Sequence, residues 1–105
     1  MTTSGGTYRT VLINAANSGN NEIVAAIAGT SIRVVSLFFV VAALAVCTFN
    51  DGTNNLTGAM SYGQYGGISM PFNQIGWFTG GAGRPLNLNL GGAYQVSGAL
   101  TYMEV

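Results

Sequence analysis

One apolar run limits what this chain can fold into more than any other feature of its sequence. Between Val34 and Phe49 the sequence reads VVSLFFVVAALAVCTF, and Arg33 stands directly before it. A membrane-spanning helix needs about 20 apolar residues, whereas this run is shorter and includes Ser36 and Thr48. We therefore assign it to the protein interior and expect no membrane partner.

The composition of this run predicts two strands. β-Branched and aromatic residues dominate it, and Ala42-Ala43-Leu44 interrupts them about halfway. We place one strand from Ser31 to Val41 and a second from Leu44 to Asn50. Consecutive side chains on a strand point to opposite faces, so of Phe38 and Phe39 one should enter the core. The other should lie at or near a contact with a neighbouring subunit, because a small sandwich has little material to cover a second apolar face.

The rest of the chain reads as short strands separated by turn residues. Leu86–Leu90 is the clearest strand, because Leu and Asn alternate along it, with Leu expected inward and Asn outward. Asp51-Gly52 supplies the positive φ of a hairpin turn. No segment has the i, i+3, i+4, i+7 apolar stripe of an amphipathic helix. The other predicted strands are Tyr8–Asn14, Glu22–Ile27, Leu56–Tyr62, Ile68–Phe72, Gly76–Thr79 and Tyr94–Val105.

This pattern predicts an all-β fold, a jelly-roll (Greek-key) β-sandwich of about eight antiparallel strands. An immunoglobulin-like sandwich is the alternative, but the chain lacks its Cys-Trp-Cys framework. A length of 105 residues suits one domain, which we place at residues 7–105. Residues 1–6, rich in Thr, Ser and Gly, are predicted to form a flexible N-terminal arm. No basic segment precedes an apolar stretch there, so we expect no signal peptide.

Charged residues are scarce, and this scarcity argues against a nucleic-acid partner. The chain has three Arg and neither Lys nor His. Nucleic-acid binding draws most of its affinity from cations clustered at phosphates, whereas these arginines are scattered along the sequence. They are Arg9, Arg33 and Arg84.

Catalysis and metal binding lack their usual residues. Without His, a nucleophilic Ser or Cys has no imidazole to activate it. The remaining bases, Glu22, Asp51 and Glu104, stand far apart in the sequence. We therefore expect no enzymatic activity, no cofactor and no metal site. The single Cys47 lies within the apolar run, which favours a buried small hydrophobe and excludes an intrachain disulfide.

Arg33 is the one cation placed against the longest apolar segment, where a charge without a partner would be costly. It could lie at the solvated end of its strand. Alternatively, it could pair with Glu22 or Glu104, across strands or across a subunit boundary. The sequence leaves both arrangements open.

Five aromatic residues within one third of the chain have two interpretations. At this density Trp and Tyr usually anchor a core or an interface. They could also form a sugar-binding platform. The five are Tyr62, Tyr65, Phe72, Trp77 and Phe78.

Six segments of the chain, in this order, carry a further resemblance: Ile32–Ser36, Leu56–Met60, Gly67–Phe72, Gly76–Phe78, Leu86–Leu90 and Val96–Tyr102. Together they resemble small capsid decoration, or cement, proteins of tailed bacteriophages. The resemblance covers about 70 residues and consists of strands and turns rather than a catalytic signature.

The resemblance implies a jelly-roll subunit that forms a homotrimer on the outer surface of a phage head and stabilises the shell. The partners would be further copies of the chain and the major capsid protein. Such a protein is made in the host cytoplasm and ends in the virion. A tail-associated or receptor-binding, glycan-binding module is the alternative, and a membrane-active or bacteriocin-like small protein is a third class.

We predict two sets of contact residues for this role. The oligomer interface is expected to include Arg33, Phe38, Phe39, Met70, Phe72, Trp77 and Tyr102. The contact with the capsid is expected to include Thr2, Thr3, Ser4 and Arg9.

Overall fold

The computed structural model describes residues 7–105 as two antiparallel β-sheets packed face to face. The predicted all-β sandwich is confirmed, and the described residues contain no helix. The strands are β1 (Tyr8–Ala15), β2 (Gly19–Val24), β3 (Ile32–Val41), β4 (Ala45–Asn50), β5 (Met60–Tyr62), β6 (Gly67–Met70), β7 (Phe78–Thr79), β8 (Leu86–Leu90) and β9 (Val96–Glu104).

The strands divide into a sheet A and a sheet B. Sheet A has the order β1-β9-β3-β6, and sheet B has the order β2-β8-β4-β5. β7 also pairs with β3, at Arg33 and Val34, whereas β6 pairs with β3 farther along, from Leu37 to Val40. β6 and β7 therefore occupy the same side of β3 in succession.

The apolar run forms strands β3 and β4, joined at residues 42–44, as predicted. Accordingly, no helix in residues 7–105 is long and apolar enough to cross a membrane. Phe39 is 1% exposed in the core, whereas Phe38 is 56% exposed on the outer face of sheet A. The prediction that these two rings point opposite ways is confirmed.

The core lies between the sheets and is built from alternating apolar residues. Phe39 packs against Phe49 across the two sheets, with ring centroids 6.2 Å apart. The Leu side chains of β8 point inward, as their spacing predicts. Full burial of one such side chain contributes about 1.5–3 kcal/mol relative to leaving it exposed. Cys47 is buried and free, as predicted.

Two strands, β2 and β5, differ most from their predicted boundaries. Asn20 and Asn21 were expected in a loop, but they pair with β8 because their carboxamides find partners there. Leu56 and Thr57 were expected in a strand. Instead their backbone N–H groups both donate to the carbonyl of Phe49, which folds the segment back and delays β5 until Met60.

Candidate interaction surface

The outer face of sheet A carries an exposed apolar patch, which we name the apolar face. Leu12, Ala99 and Phe38 lie side by side on β1, β9 and β3, and Val40 lies one outward position farther along β3. Leu12 is 73% exposed and Val40 is 51% exposed. Grouped apolar side chains of this size are typical of a surface that contacts another molecule.

Hydroxyl groups border the apolar face on one side. Thr10 and Thr101 face each other across β1 and β9, with their hydroxyl oxygens 3.2 Å apart. Ser36 continues this row on β3. The border is uncharged, so hydrogen bonds rather than ion pairs would surround a partner seated on the patch.

The outer face of sheet B differs, because its asparagines bond to one another. We name it the carboxamide face. Asn20 Oδ1 accepts hydrogen bonds from Asn50 Nδ2 at 2.9 Å and from Asn89 Nδ2 at 2.8 Å. Asn87 Nδ2 donates to Asn50 Oδ1 at 3.2 Å. Asn87 points outward as predicted, although it and Asn50 are buried.

A groove at one end of sheet A's outer face surrounds Arg33. Gly76, at φ +94°, packs on the aliphatic part of this side chain, and a Cβ there would lie 2.5 Å from Arg33 Cγ. Arg33 Nε is enclosed and has no hydrogen-bond acceptor within residues 7–105. This Arg33 groove has a volume of about 620 Å³ and is lined by Tyr8, Arg33, Asn73, Gln74, Ile75 and Met103.

Neither predicted intrachain partner reaches Arg33. Glu104 bonds instead to Arg9, with Nε and Oε2 3.4 Å apart. Glu104 is paired with Ile32 in the register, so its side chain points to the opposite face of sheet A from that of Arg33. Glu22 lies on sheet B, beside the carboxamide face. Arg33 is the second residue of β3 and is partly exposed, with its Nε enclosed, so the solvated strand end and a pairing across a subunit boundary both stay predictions.

Asp51 is only 2% exposed and holds two loops together. Its Oδ1 accepts hydrogen bonds from the backbone N–H groups of Thr53 and Asn54, and its Oδ2 accepts one from Gly81. Burial by itself would raise the pKa of Asp51. The three hydrogen bonds and the charge of Arg84 outweigh burial and hold this pKa below its ordinary value.

The sandwich has an apolar cavity of about 170 Å³ at its open edge, between β5 and β6. Met60 and Met70 line it from the two sheets, and Phe78 lies at its wall. A space of this size and lining would hold a ring or a short aliphatic chain. The other lining residues are Leu37, Phe39, Phe49, Leu56, Thr57, Ile68 and Trp77.

The five clustered aromatics do not form one platform. Tyr62 and Phe78 pack edge-on or tilted against core rings, at centroid distances of 5.5 and 5.2 Å. Tyr65 lies near Val41, whereas Phe72 and Trp77 lie near the start of β3. Trp77 Nε1 donates to the carbonyl of Pro71, and the Phe72 ring packs edge-on against Tyr8.

The predicted contact residues fall into three groups. Phe39 and Tyr102 are buried in this chain's own core and present no surface to a partner. Phe38, Phe72 and Trp77 are exposed, while Arg33 and Met70 are partly buried in the groove and the cavity. Thr2, Thr3 and Ser4 lie outside the described residues, and Arg9 is paired with Glu104.

Sequence reasoning missed Leu12 and Val40, which are 73% and 51% exposed on the apolar face. Their signal was available, since Leu12 alternates with the core residues Ile13 and Val11 along β1 in the way that a two-sided apolar strand does. The groove had no such signal. It depends on the loop from Pro71 to Trp77 folding over Arg33.

The remaining chemistry of the surface is sparse. Within residues 7–105, Cys, Asp and Glu side chains do not gather in a group of three that could hold a metal ion. The three carboxylates lie apart, on the carboxamide face, in the Asp51 turn and beside Arg9. Comparison with protein-family models, with curated proteins and with solved structures gave no match for this chain.

Proposed function

We propose that this chain is a non-catalytic virion structural protein, a decoration or cement protein that trimerises on the outer surface of a phage head and stabilises the shell. The observation that carries the proposal is the apolar face. Leu12, Phe38 and Val40 are exposed together on a sheet whose inner face already fills the core. A structural protein that is covered by neighbours in its assembled state accounts for such a surface.

We also propose that the sandwich is a jelly roll. The strand order supports this, because β1 pairs with β9, β2 with β8 and β4 with β5. If β6 and β7 count as one interrupted strand along β3, the two sheets hold four positions each. Eight positions in two four-stranded sheets correspond to the jelly rolls of capsid proteins.

The shortage of charge supports a role in assembly rather than in recognition of a charged partner. Only six side chains carry charge, and four of them are used in the Arg9–Glu104 and Arg84–Asp51 interactions. The surface is instead hydrated through the uncharged polar side chains of Asn, Thr and Ser. Binding to such a surface depends on shape complementarity and apolar contact, which is consistent with long-lived attachment to a capsid.

The proposed contacts follow from the exposed residues. Phe38 and the apolar face would meet another subunit, while the arm of residues 1–6 and Arg9 would reach the major capsid protein. Deletion of residues 1–6 should then leave the oligomer intact and lower the occupancy of particles. Unchanged occupancy would remove the arm from the proposal.

Two measurements test the proposal directly. A mass-spectrometric copy count on purified virions should find hundreds of copies for a cement protein, and a handful would indicate a tail component. Particles stripped of the protein should keep their shape and release DNA at a lower temperature, because a ligand of the assembled shell stabilises only that state. Identical release temperatures with and without the protein would exclude a cementing role.

The alternative is a tail-associated, glycan-binding module, and one observation favours it. Phe72 and Trp77 are exposed on the loop that also presents Asn73 and Gln74 to the groove. Aromatic edges beside carboxamides could hold a sugar ring. A glycan array would support this function if binding were lost in Trp77→Ala.

A further inference from the structure

Four of the six charged side chains interact with an opposite charge within the described chain, one couple as an ion pair and the other at longer range. Arg9 pairs with Glu104, at 3.4 Å. Arg84 lies beside Asp51, whose pKa its charge helps to lower. Within the described residues, this leaves Arg33 and Glu22 without an oppositely charged partner.

The two remaining charges are opposite in sign and lie on opposite sides of the molecule. Arg33 lies in its groove on the outer face of sheet A, in register with Met103. Glu22 points outward from sheet B, two residues from Asn20 on the edge strand β2. Packed sheets stand about 10 Å apart, so two charges that point away from each other across both sheets cannot meet within one chain.

Arg33 is also prepared for a partner. Its aliphatic part is clamped by Gly76, and its Nε is enclosed without an acceptor in residues 7–105. Arg33 lines the groove, so a partner that enters the groove can reach this side chain. A guanidinium held in one orientation can bond a carboxylate through two parallel hydrogen bonds at little further entropic cost.

We infer that two copies of this chain associate head to tail, with Glu22 of one copy entering the Arg33 groove of the next. The inference rests on the self-association in the proposed function and adds its geometry. A contact between two different surfaces of the same chain is heterologous, and it closes into a ring when the rotation permits. A trimer made in this way would use three identical Arg33–Glu22 pairs and leave none of these six charges unpaired.

The backbone of β3 determines where the groove lies relative to the apolar face. β3 has a bulge between Val34 and Ser36, which brings Arg33 onto the same outer face as Phe38. The groove and the apolar face therefore lie on the same outer face of sheet A, with the row of Thr10, Thr101 and Ser36 between them. The next copy would cover the apolar residues with part of its β1/β2 edge and place Glu22 at the groove end.

Charge reversal tests the pair. The variants Arg33→Glu and Glu22→Arg, each alone, should weaken association by about tenfold or more, because like charges would then meet at the contact. The double variant should recover most of the wild-type affinity. Analytical ultracentrifugation over a concentration series measures each constant. Arg84→Glu is the control, since it makes the same change in charge on an exposed side chain that lies beside Asp51 within the chain.

Mixing the two single variants adds a geometric readout. Each contact in the mixture is favourable only if the variants alternate, and alternation cannot close a ring of three. A mixed ring of three therefore has two favourable contacts and one like-charge contact, because the rotation at the interface is unchanged. The mixture should associate more tightly than either single variant and less tightly than the wild type, while the double variant by itself returns to the wild-type number of subunits.

The possible results separate this inference from the proposed function. If the wild type associates but neither single variant weakens it, or if the double variant does not recover, the pairing is wrong and the decoration role still stands. A wild type that is monomeric at micromolar concentration removes the self-association and the pairing together. Arg33→Met, which keeps the packed stem, guards against misfolding. It should lose affinity while retaining the monomer's circular dichroism spectrum.

Discussion

The outer faces of the two sheets are both formed by antiparallel strands, but their side chains differ in how they are satisfied. On sheet B, Asn20, Asn50, Asn87 and Asn89 satisfy one another through hydrogen bonds of 2.8 to 3.2 Å. On sheet A, the outward positions Leu12, Phe38 and Val40 hold exposed apolar side chains with no covering layer in the described chain.

The two faces show two ways in which the outer surface of a β-sandwich can be built without charged side chains. A carboxamide can donate and accept, so neighbouring asparagines complete a surface by themselves. An apolar side chain can be completed only by burial, which requires another molecule once the core is full. The carboxamide face therefore satisfies its own hydrogen bonds, and the apolar face is the side that we propose to be covered by a neighbour.

The largest effect should come from the two adjacent phenylalanines. Phe39→Ala leaves a cavity in the core and should cost about 3–5 kcal/mol in the free energy of unfolding. Phe38→Ala should change the stability of the monomer by less than about 0.5 kcal/mol, because its ring contributes no core packing. Urea unfolding at protein concentrations below the dissociation constant of the oligomer measures both changes. Equal losses for the two variants would contradict the assignment of Phe38 to a surface.

A smaller loss should follow when the carboxamide face is broken. Asn50→Ala removes an acceptor from the buried Asn87 and a donor from Asn20, so it should cost about 1–3 kcal/mol. Thr10→Ala, its counterpart on sheet A, breaks only an exposed hydroxyl pair and should cost less than about 1 kcal/mol. Thermal melts of the two variants compare the faces. A cost at Thr10 as large as at Asn50 would show that the network is not what stabilises sheet B.

Substitution of the apolar face should affect association more than stability. Leu12→Asn makes one position of sheet A resemble the carboxamide face, and the lost burial should weaken self-association by about 5- to 30-fold. Val46→Thr is the matched control, because Val46 is a partly exposed apolar residue on the outer face of sheet B. Its association constant should stay near that of the wild type. Equal effects at both positions would mean that the two faces do not differ in this respect.

The strands and their inward-facing residues could be predicted from the sequence, because apolar and polar residues alternate along the strands and turn residues separate them. The Leu and Asn residues of Leu86–Leu90 place a strand and its inward face, and the break at residues 42–44 separates β3 from β4. The asparagines of β2 were unreadable, since Asn disfavours strands unless a partner meets its side chain. Their partners on β8 and β4 are distant in the sequence.

The candidate surface was less predictable than the core. Arg33 and Phe38 stand five residues apart, which on a regular strand would place them on opposite faces. The bulge between Val34 and Ser36 puts them on one face, and no residue pattern announces it. The arrangement depends on the loop that contacts β3 there, where Asn73 donates its backbone N–H to the carbonyl of Val35.

The smallest effect we expect is that of pH, because neither outer face carries a group that titrates near neutrality. The chain has no His, so the free energy of unfolding should stay flat between about pH 5 and pH 8. Asp51 is the exception at acid pH. Its pKa is lower in the folded chain than the ordinary value of about 3.9, so folding is favoured more when this carboxyl is ionised. The contribution is complete above about pH 5 and is lost as the pH falls through 4 toward the lower folded pKa. Asp51→Asn should reduce the dependence of the free energy of unfolding on pH below about pH 5. Asn50→Ala breaks the carboxamide face without removing a charge, so it should leave this pH dependence unchanged. Melts from pH 2.5 to pH 8 test this, and a stability change near pH 6.5 in the wild type would contradict it.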